Sequence, residues 1–150
     1  MKKKLIEFNK IKNGIYYDIN SCDWNDIINK SKNGLLLGEL GYNHIHNSGY
    51  INLNNVSHIV KNIQLYQDGI VGDIQILDTQ NGKILKELVN NGFKINYSAR
   101  YNCNVDSNGK IIDAKILSFD AMQVPYDILE IRNQKIKKIK KLINEKRFNW

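Results

Sequence analysis

The stretch INLNNVSHIV, residues 51–60, runs from a polar loop into an apolar strand that carries one histidine. Alternate side chains of a strand point to the same face, so Val56, His58 and Val60 are predicted to lie together. A neutral imidazole among valines needs a hydrogen-bond partner or a chemical task. The stretch therefore predicts a core strand and a candidate functional residue at the same place.

Turn and cap signals on both sides of this strand predict the rest of the fold. Asp68-Gly69 is typical of a hairpin turn, and Asn91-Gly92 is typical of a helix end. The N-terminal part is predicted to contain a strand pair over residues 4–19, a helix capped by Ser21 and ended by Asn33-Gly34, a buried strand in LLLGELG and a loop over 42–55. The middle part is predicted to contain strands at 56–66 and 70–77 and a helix capped by Asp78 or Thr79. A hairpin over 94–104 and 110–120 and a helix after Pro125 are predicted to follow. This order predicts an α+β fold with a mainly antiparallel β-barrel core flanked by about three helices.

The positive charge of the chain is concentrated at its C-terminal end. Residues 127–150 hold eight Lys/Arg against three Asp/Glu, whereas residues 1–126 hold fourteen against twelve, out of a net charge of +7. We therefore divide one overall domain into a core over 1–126 and a basic C-terminal helix over 127–150. That helix is interpreted as a solvated face or as a docking or pro-segment. No apolar run approaches the roughly 20 residues of a membrane span.

The strand KINYSARYNC, residues 94–103, supplies a candidate partner for His58. Alternation places Ser98 beside Arg100 on its polar face, with Tyr97 on the other face. A serine becomes a nucleophile when a base takes its proton and a third group orients that base. Ser98, His58 and a carboxylate such as Asp120 would meet this need if the two hairpins face each other, although spacing alone leaves many other combinations open.

A second constellation, HIH at residues 44–46, would place two imidazoles on one face of a strand, a pairing used for zinc. With His58 it would offer three ligands. The surrounding loop is polar and contains no Cys or Glu cluster, so a chance pattern is the favoured interpretation. No metal or cofactor is therefore expected.

Several sequence blocks follow one another in a recognisable order along the chain. They are GELG (38–41), INLNNVSHIV (51–60), GDIQILDTQNGKILKELVNNG (72–92), NYSAR (96–100) and ILSFDAMQVP (116–125). In this order the chain resembles the prohead maturation proteases of tailed phages, whose fold and chemistry are related to herpesvirus assemblin. The resemblance covers residues 37–125, that is 89 of the 150 residues.

The resemblance implies roles for four residues. His58 would be the general base and Ser98 the acyl-forming nucleophile. Asp120 would orient the base, because assemblin-like enzymes use a second histidine there and no histidine follows position 58. Arg100 would support the oxyanion site, or else form a surface ion pair.

The chain also departs from the pattern of that family at several positions. Tyr42-Asn43 stands where His-Pro is common, and Gln80 stands where proline is common. Asn96 and Tyr101 replace glycines that flank the serine motif, so the oxyanion geometry is expected to differ.

The function implied by the resemblance is a serine endopeptidase that cleaves scaffold or core proteins and capsid proteins during phage prohead maturation. Its location would be the prohead interior within the host cytoplasm, as a homo-oligomer, with neither a membrane nor nucleic acid expected as partner. Some relatives cleave after a glutamate that is preceded two residues earlier by Ile or Leu. Ile128–Glu130 fits this pattern, so self-cleavage there is a hypothesis, although Leu85–Glu87 fits the same pattern. The alternatives are a non-catalytic capsid or scaffold component that retains the fold, and a basic nucleic-acid-binding β module.

Overall fold

The computed structural model describes residues 1–12, 14–41, 49–123 and 136–144. The strands are β1 (Lys2–Glu7), β2 (Leu37–Glu39), β3 (Val56–Tyr66), β4 (Gly69–Ile76), β5 (Ile95–Val105) and β6 (Ile111–Gln123). The helices are α1 (Trp24–Lys32), α2 (Gln80–Asn90) and α3 (residues 136–144), with a 3₁₀ turn at Leu53–Asn55. In this part of the chain no helix is long and apolar enough to cross a membrane.

The strands form a curled antiparallel half-barrel. Four of them pair in the order β1-β4-β3-β2, and β5 pairs with β6. The two sheets meet where β2 lies beside β6, through a parallel bridge of Leu40 to Ala121 and a hydrogen bond of 2.7 Å from the Gly41 N–H to the Ala121 carbonyl. This junction brings the strand of His58, through β2, next to the hairpin that carries Ser98.

The core fills the inside of this curled sheet. Its buried residues come from the strands and from both α1 and α2, and they include Ile27, Val60, Ile70, Leu85 and Phe119. The edge strand β1 begins with Lys2, Lys3 and Lys4, which are all exposed. The predicted α+β class and mainly antiparallel sheet are therefore confirmed, and the predicted barrel takes the form of a curled half-barrel.

Two local predictions near the N-terminus are wrong. The predicted strand pair over residues 4–19 does not form, because β1 pairs with β4. The described residues of the following segment make isolated bridges, such as Phe8 to Tyr17. The cap of α1 is Asp23, whose side chain accepts from the Asp26 N–H, and not Ser21. The Ser21 hydroxyl instead accepts from the Asp18 N–H at 2.8 Å.

Elements in the middle of the chain agree with the sequence. Thr79 caps α2, Asn33 ends α1, and the turn at Asp106–Gly109 joins β5 to β6. The predicted helix after Pro125 is described only over residues 136–144, and Ile128 lies outside the described residues.

Thr79 connects α2 to the strand of His58, so its removal should destabilise the fold. Its Oγ1 accepts from the Gly82 N–H at 2.9 Å and donates to the Val56 carbonyl at 2.5 Å. We expect Thr79→Ala to lower the free energy of unfolding by about 1–2 kcal/mol, since a helix cap is lost and a carbonyl loses its donor. Thr79→Ser keeps the hydroxyl, so its free energy of unfolding, measured by urea denaturation, should fall much less. Equal losses in the two variants would contradict the role given to the hydroxyl.

Candidate functional site

His58 lies on β3 directly opposite Gly38 of β2 and is fully buried. Its imidazole extends across Gly38, because a Cβ built on that glycine would lie 2.0 Å from His58 Nε2 and 2.5 Å from the Phe119 carbonyl oxygen. Only a residue without a side chain leaves this space. The GELG block therefore contains a glycine that makes room for the histidine to reach β6.

Both ring nitrogens of His58 have partners. Nε2 lies 2.7 Å from the Phe119 carbonyl oxygen, and Nδ1 lies 2.8 Å from the Ser57 hydroxyl. A carbonyl can only accept, so Nε2 carries the proton and Nδ1 accepts from Ser57. Burial lowers the pKa of His58, while the Phe119 carbonyl and the charge of Asp120 act to raise it. His58 is thus held as a neutral imidazole with a fixed tautomer.

Ser98 lies on the opposite face of β5 from the residue that touches His58. The Tyr97 ring packs edge-on against the imidazole, with centroids 5.1 Å apart. Successive side chains alternate, so Ser98 shares a face with Arg100 and, across the strand pair, with Asp120. Among the described residues, the hydrogen bond of the Ser98 hydroxyl is the one it accepts from Asn96 Nδ2 at 3.0 Å. The structure therefore does not bring Ser98 and His58 into hydrogen-bond contact.

A buried ion cluster occupies the face of Ser98. The Arg100 guanidinium binds Asp120 through two hydrogen bonds, Nε to Oδ2 at 2.9 Å and Nη2 to Oδ1 at 3.0 Å, and it also binds the Glu39 carboxylate. Arg100, Glu39 and Asp120 are at most 7% exposed. Burial opposes the charged form of Arg100, but its bonds to Asp120 and Glu39 outweigh this effect and raise its pKa. A planar guanidinium suits such a bidentate contact better than an ammonium would.

The cluster also fixes the segment that precedes His58. Arg100 Nη1 donates to the Tyr50 carbonyl at 2.9 Å, and the Glu39 carboxylate accepts from the Asn52 N–H and from Asn55 Nδ2, each at 3.2 Å. Val56, the first residue of β3, follows Asn55 directly. One group of charges therefore connects β2, β5, β6 and the start of the strand of His58.

These contacts change the interpretation of two predicted site residues. Asp120 was predicted to orient His58, but in the described residues its oxygens meet Arg100, the Glu39 N–H at 3.1 Å and the Ser118 hydroxyl at 3.0 Å. The alternative that Arg100 forms a surface ion pair is wrong, because its ion pairs are buried.

Sequence reasoning missed two residues of this site, Glu39 and Ser57. A glutamate inside the apolar run LLLGELG was the available signal for the first, since a buried carboxylate requires a cation or several donors. No pattern marked Ser57, which becomes significant only because its hydroxyl meets Nδ1 of the neighbouring histidine.

A cavity of about 250 Å³ opens beside Ser98, between β5 and β1. Its walls are largely apolar and aromatic, with charged groups among them, and its lining includes Leu5, Ile6, Glu7, Lys10, Tyr17, Tyr97, Ser98 and Tyr101. Among the described strands, β5 pairs with β6, so alternate N–H and C=O groups on its other edge have no strand partner there. The cavity is smaller than the roughly 300–1,000 Å³ of drug-sized ligand pockets, so it suits amino-acid side chains better than a large cofactor.

The chemistry available at this site is that of a half-buried serine beside a cavity and a neutral histidine on the other side of the sheet. The described residues contain no cluster of three or more His, Cys, Asp or Glu that could hold a metal ion. His44 and His46 lie outside the described residues, so the alternative of a zinc site is not tested.

The fold has a known counterpart. It is similar to the bacteriophage T4 capsid assembly protease, gp21, with a TM-score of 0.69 and 14% sequence identity over 83% of this chain and 82% of that chain. No protein-family profile and no curated protein sequence matches the chain. At this identity the likeness shows the fold alone.

The buried neutral state of His58 predicts a pH dependence of stability. Because its pKa is lowered in the folded state, the unfolded chain binds the proton first as pH falls below about 6.5. The contribution of His58 to the free energy of unfolding should therefore be fully present above that pH. It should decrease as pH falls toward 5, by at most about 1.4 kcal/mol per pH unit. Urea denaturation at pH 7, 6 and 5 should show a smaller fall in the free energy of unfolding for His58→Gln than for the wild-type protein. An equal fall in the two proteins would exclude a neutral buried His58.

Proposed function

We propose that this chain is a serine endopeptidase of the phage prohead protease type, with an assemblin-like barrel. The observation that supports this most is the similarity of the whole fold to the T4 capsid assembly protease. Ser98 would attack the scissile carbonyl, and His58 would take its proton and later return it to the leaving amine. An acyl-enzyme would form and be released by water that His58 activates.

The substrates in this proposal are scaffold or core proteins and capsid proteins, cleaved inside the prohead, with the enzyme acting as a homo-oligomer. Proteases of this kind bind an extended chain next to the nucleophile. The outward edge of β5 offers backbone donors and acceptors for such a chain, as in strand addition. The cavity beside Ser98 would receive one or two of its side chains, and the tyrosines and aliphatic residues that line it favour apolar ones.

The conformation described here is proposed to be a latent form of the enzyme. His58 Nε2–H is engaged with the Phe119 carbonyl, so the imidazole has to release that contact before it can meet the Ser98 hydroxyl. The rearrangement would have to move His58 relative to β6, because the two side chains lie on opposite faces of the sheet. Binding of substrate or of a second copy along the β5 edge would supply the energy for it.

Asp120 and Arg100 keep supporting roles in this proposal. Asp120 follows Phe119 in β6, and its negative charge favours the protonated form of His58, which arises during catalysis. Its direct bonds are to Arg100, Ser118 and the Glu39 N–H, so it would stabilise the imidazolium by its field and not by a hydrogen bond. Arg100 would hold the strand of Ser98 against β2, and any contribution to the oxyanion site would come from its backbone N–H.

The second candidate function is a non-catalytic capsid or scaffold component that retains the fold. It is favoured by one observation, namely that both nitrogens of His58 are engaged away from Ser98. A histidine used only to fill and hydrogen-bond the core would show this arrangement. The two candidates differ in whether Ser98 is a nucleophile.

A serine-directed phosphonate probe separates the two functions. A protease should be labelled at Ser98, and labelling should disappear in Ser98→Ala and fall strongly in His58→Gln, since an activated serine needs its base. Ser107→Ala removes an exposed hydroxyl in the β5–β6 turn and should leave labelling unchanged. The probe should be tested with and without the co-encoded scaffold protein, because a latent enzyme reacts only after substrate binds. No labelling in either condition would favour the non-catalytic component.

Self-cleavage after Glu130 is a further part of the proposed function. The alternative motif Leu85–Glu87 lies within α2, and Leu85 is fully buried, so it is protected from a protease that requires an extended chain. Incubated wild-type protein should lose residues 131–150 by intact mass, whereas Ser98→Ala and Glu130→Gln should keep full length and Glu87→Gln should still be processed. A fully active enzyme that retains residues 131–150 would contradict the hypothesis.

A further inference from the structure

Helix α3 has an apolar side that none of the described residues covers. Its apolar residues are all about half exposed: Ile136 (48%), Ile139 (56%), Leu142 (57%) and Ile143 (50%). With 3.6 residues per turn these four side chains fall within a stripe about 120° wide. Most helices in proteins owe their stability to the packing of an apolar face, so a partner that covers this stripe would stabilise α3.

The remaining face of α3 is positively charged. Lys137, Lys138, Lys140 and Lys141 are all exposed, and residues 136–144 contain no Asp or Glu. A partner therefore has to offer apolar side chains in the middle and negative charge on both sides. Complementary charge at such an interface speeds association and selects the partner.

The spacing of the apolar residues favours a helix as that partner. Ile136, Ile139 and Ile143 follow one another at intervals of three and four residues, the pattern of the seam of a coiled coil, where β-branched residues are well suited. Helices that lie on membranes usually combine a basic face with Trp, Phe or Leu, and the apolar residues here are mostly isoleucine. Nucleic acid would neutralise the lysines but leave the isoleucines in water. A second copy of α3 would bring like charges together.

We propose that α3 is a docking helix whose partner is an acidic amphipathic helix of another protein. The lysines would pair with Asp or Glu on either side of the partner's apolar seam, and the isoleucine stripe would pack into that seam. This interaction is independent of Ser98 and of the protease chemistry. Its effect would be to hold the half-barrel near the partner, where even a weak contact raises the local concentration of the two proteins.

The test measures binding of a fluorescent peptide by anisotropy. The peptide is a synthetic 28-residue helix with Leu at the seam positions and Glu on both sides, and the protein is the full chain with Ser98→Ala, which keeps the tail intact. We expect saturable binding that weakens as salt is raised from 50 to 500 mM. Ile139→Ser and Ile143→Ser should each weaken it about tenfold.

Matched controls separate α3 from other exposed residues. Leu53→Ser removes a side chain that is 73% exposed elsewhere on the surface and should leave binding unchanged. Replacement of the four lysines by glutamine should abolish the salt dependence while leaving residual apolar binding.

Three outcomes would overturn the proposal. The first is binding to phosphatidylglycerol vesicles without binding to the peptide, which would identify a membrane surface as the partner. The second is dimerisation in sedimentation that Ile139→Ser abolishes, which would identify a second copy. The third is peptide binding that the isoleucine substitutions do not change.

Discussion

The contact on which the site depends is the buried guanidinium of Arg100 between the carboxylates of Asp120 and Glu39. It joins β2 to the β5–β6 hairpin, which lies far from β2 in sequence. Through Tyr50 and Asn52 it also holds the segment that leads into the strand of His58. Burying one cation between two carboxylates is costly unless each oxygen and each N–H finds a partner, and here the backbone and Ser118 supply the additional bonds. The half-barrel is therefore held at the candidate site by polar groups, whereas α1, α2 and the inner faces of the strands are held by apolar contacts.

The position of His58 follows from the same junction. Gly38 leaves the space through which the imidazole reaches β6, and Glu39, the next residue, joins the ion cluster on the other face of β2. Of these two neighbouring residues of β2, one makes room for the histidine on one face of the sheet and the other binds Arg100 on the opposite face. A change at either residue would affect both the histidine and the strand of Ser98, so the proposed base and nucleophile are mechanically connected although they do not touch.

The sequence predicted those parts of the fold that depend on local signals. The turns at Asp68-Gly69 and Asp106–Gly109 and the helix cap at Thr79 are of this kind. Such residues adopt the turn conformation or hydrogen-bond to backbone groups only a few positions away, so the sequence marks them directly. The pairing of β1 was missed because its partner β4 is about 65 residues away, where no local signal identifies it. In the site, the strand that carries Ser98 and Arg100 was predicted correctly, and alternation along it places the two side chains on one face. The partners of Asp120 could not be predicted, since they depend on how β2 lies against β6.

The lysines of β1 have a consequence for the behaviour of the protein in solution. An edge strand displays unpaired backbone groups that another chain can adopt as a template, and exposed positive charge is one way in which proteins prevent this. Lys2, Lys3 and Lys4 stand at such an edge, within a region whose remaining charge is nearly balanced. Part of the basic character of the chain is thus explained by solubility, because repulsion between copies at this edge discourages edge-to-edge aggregation.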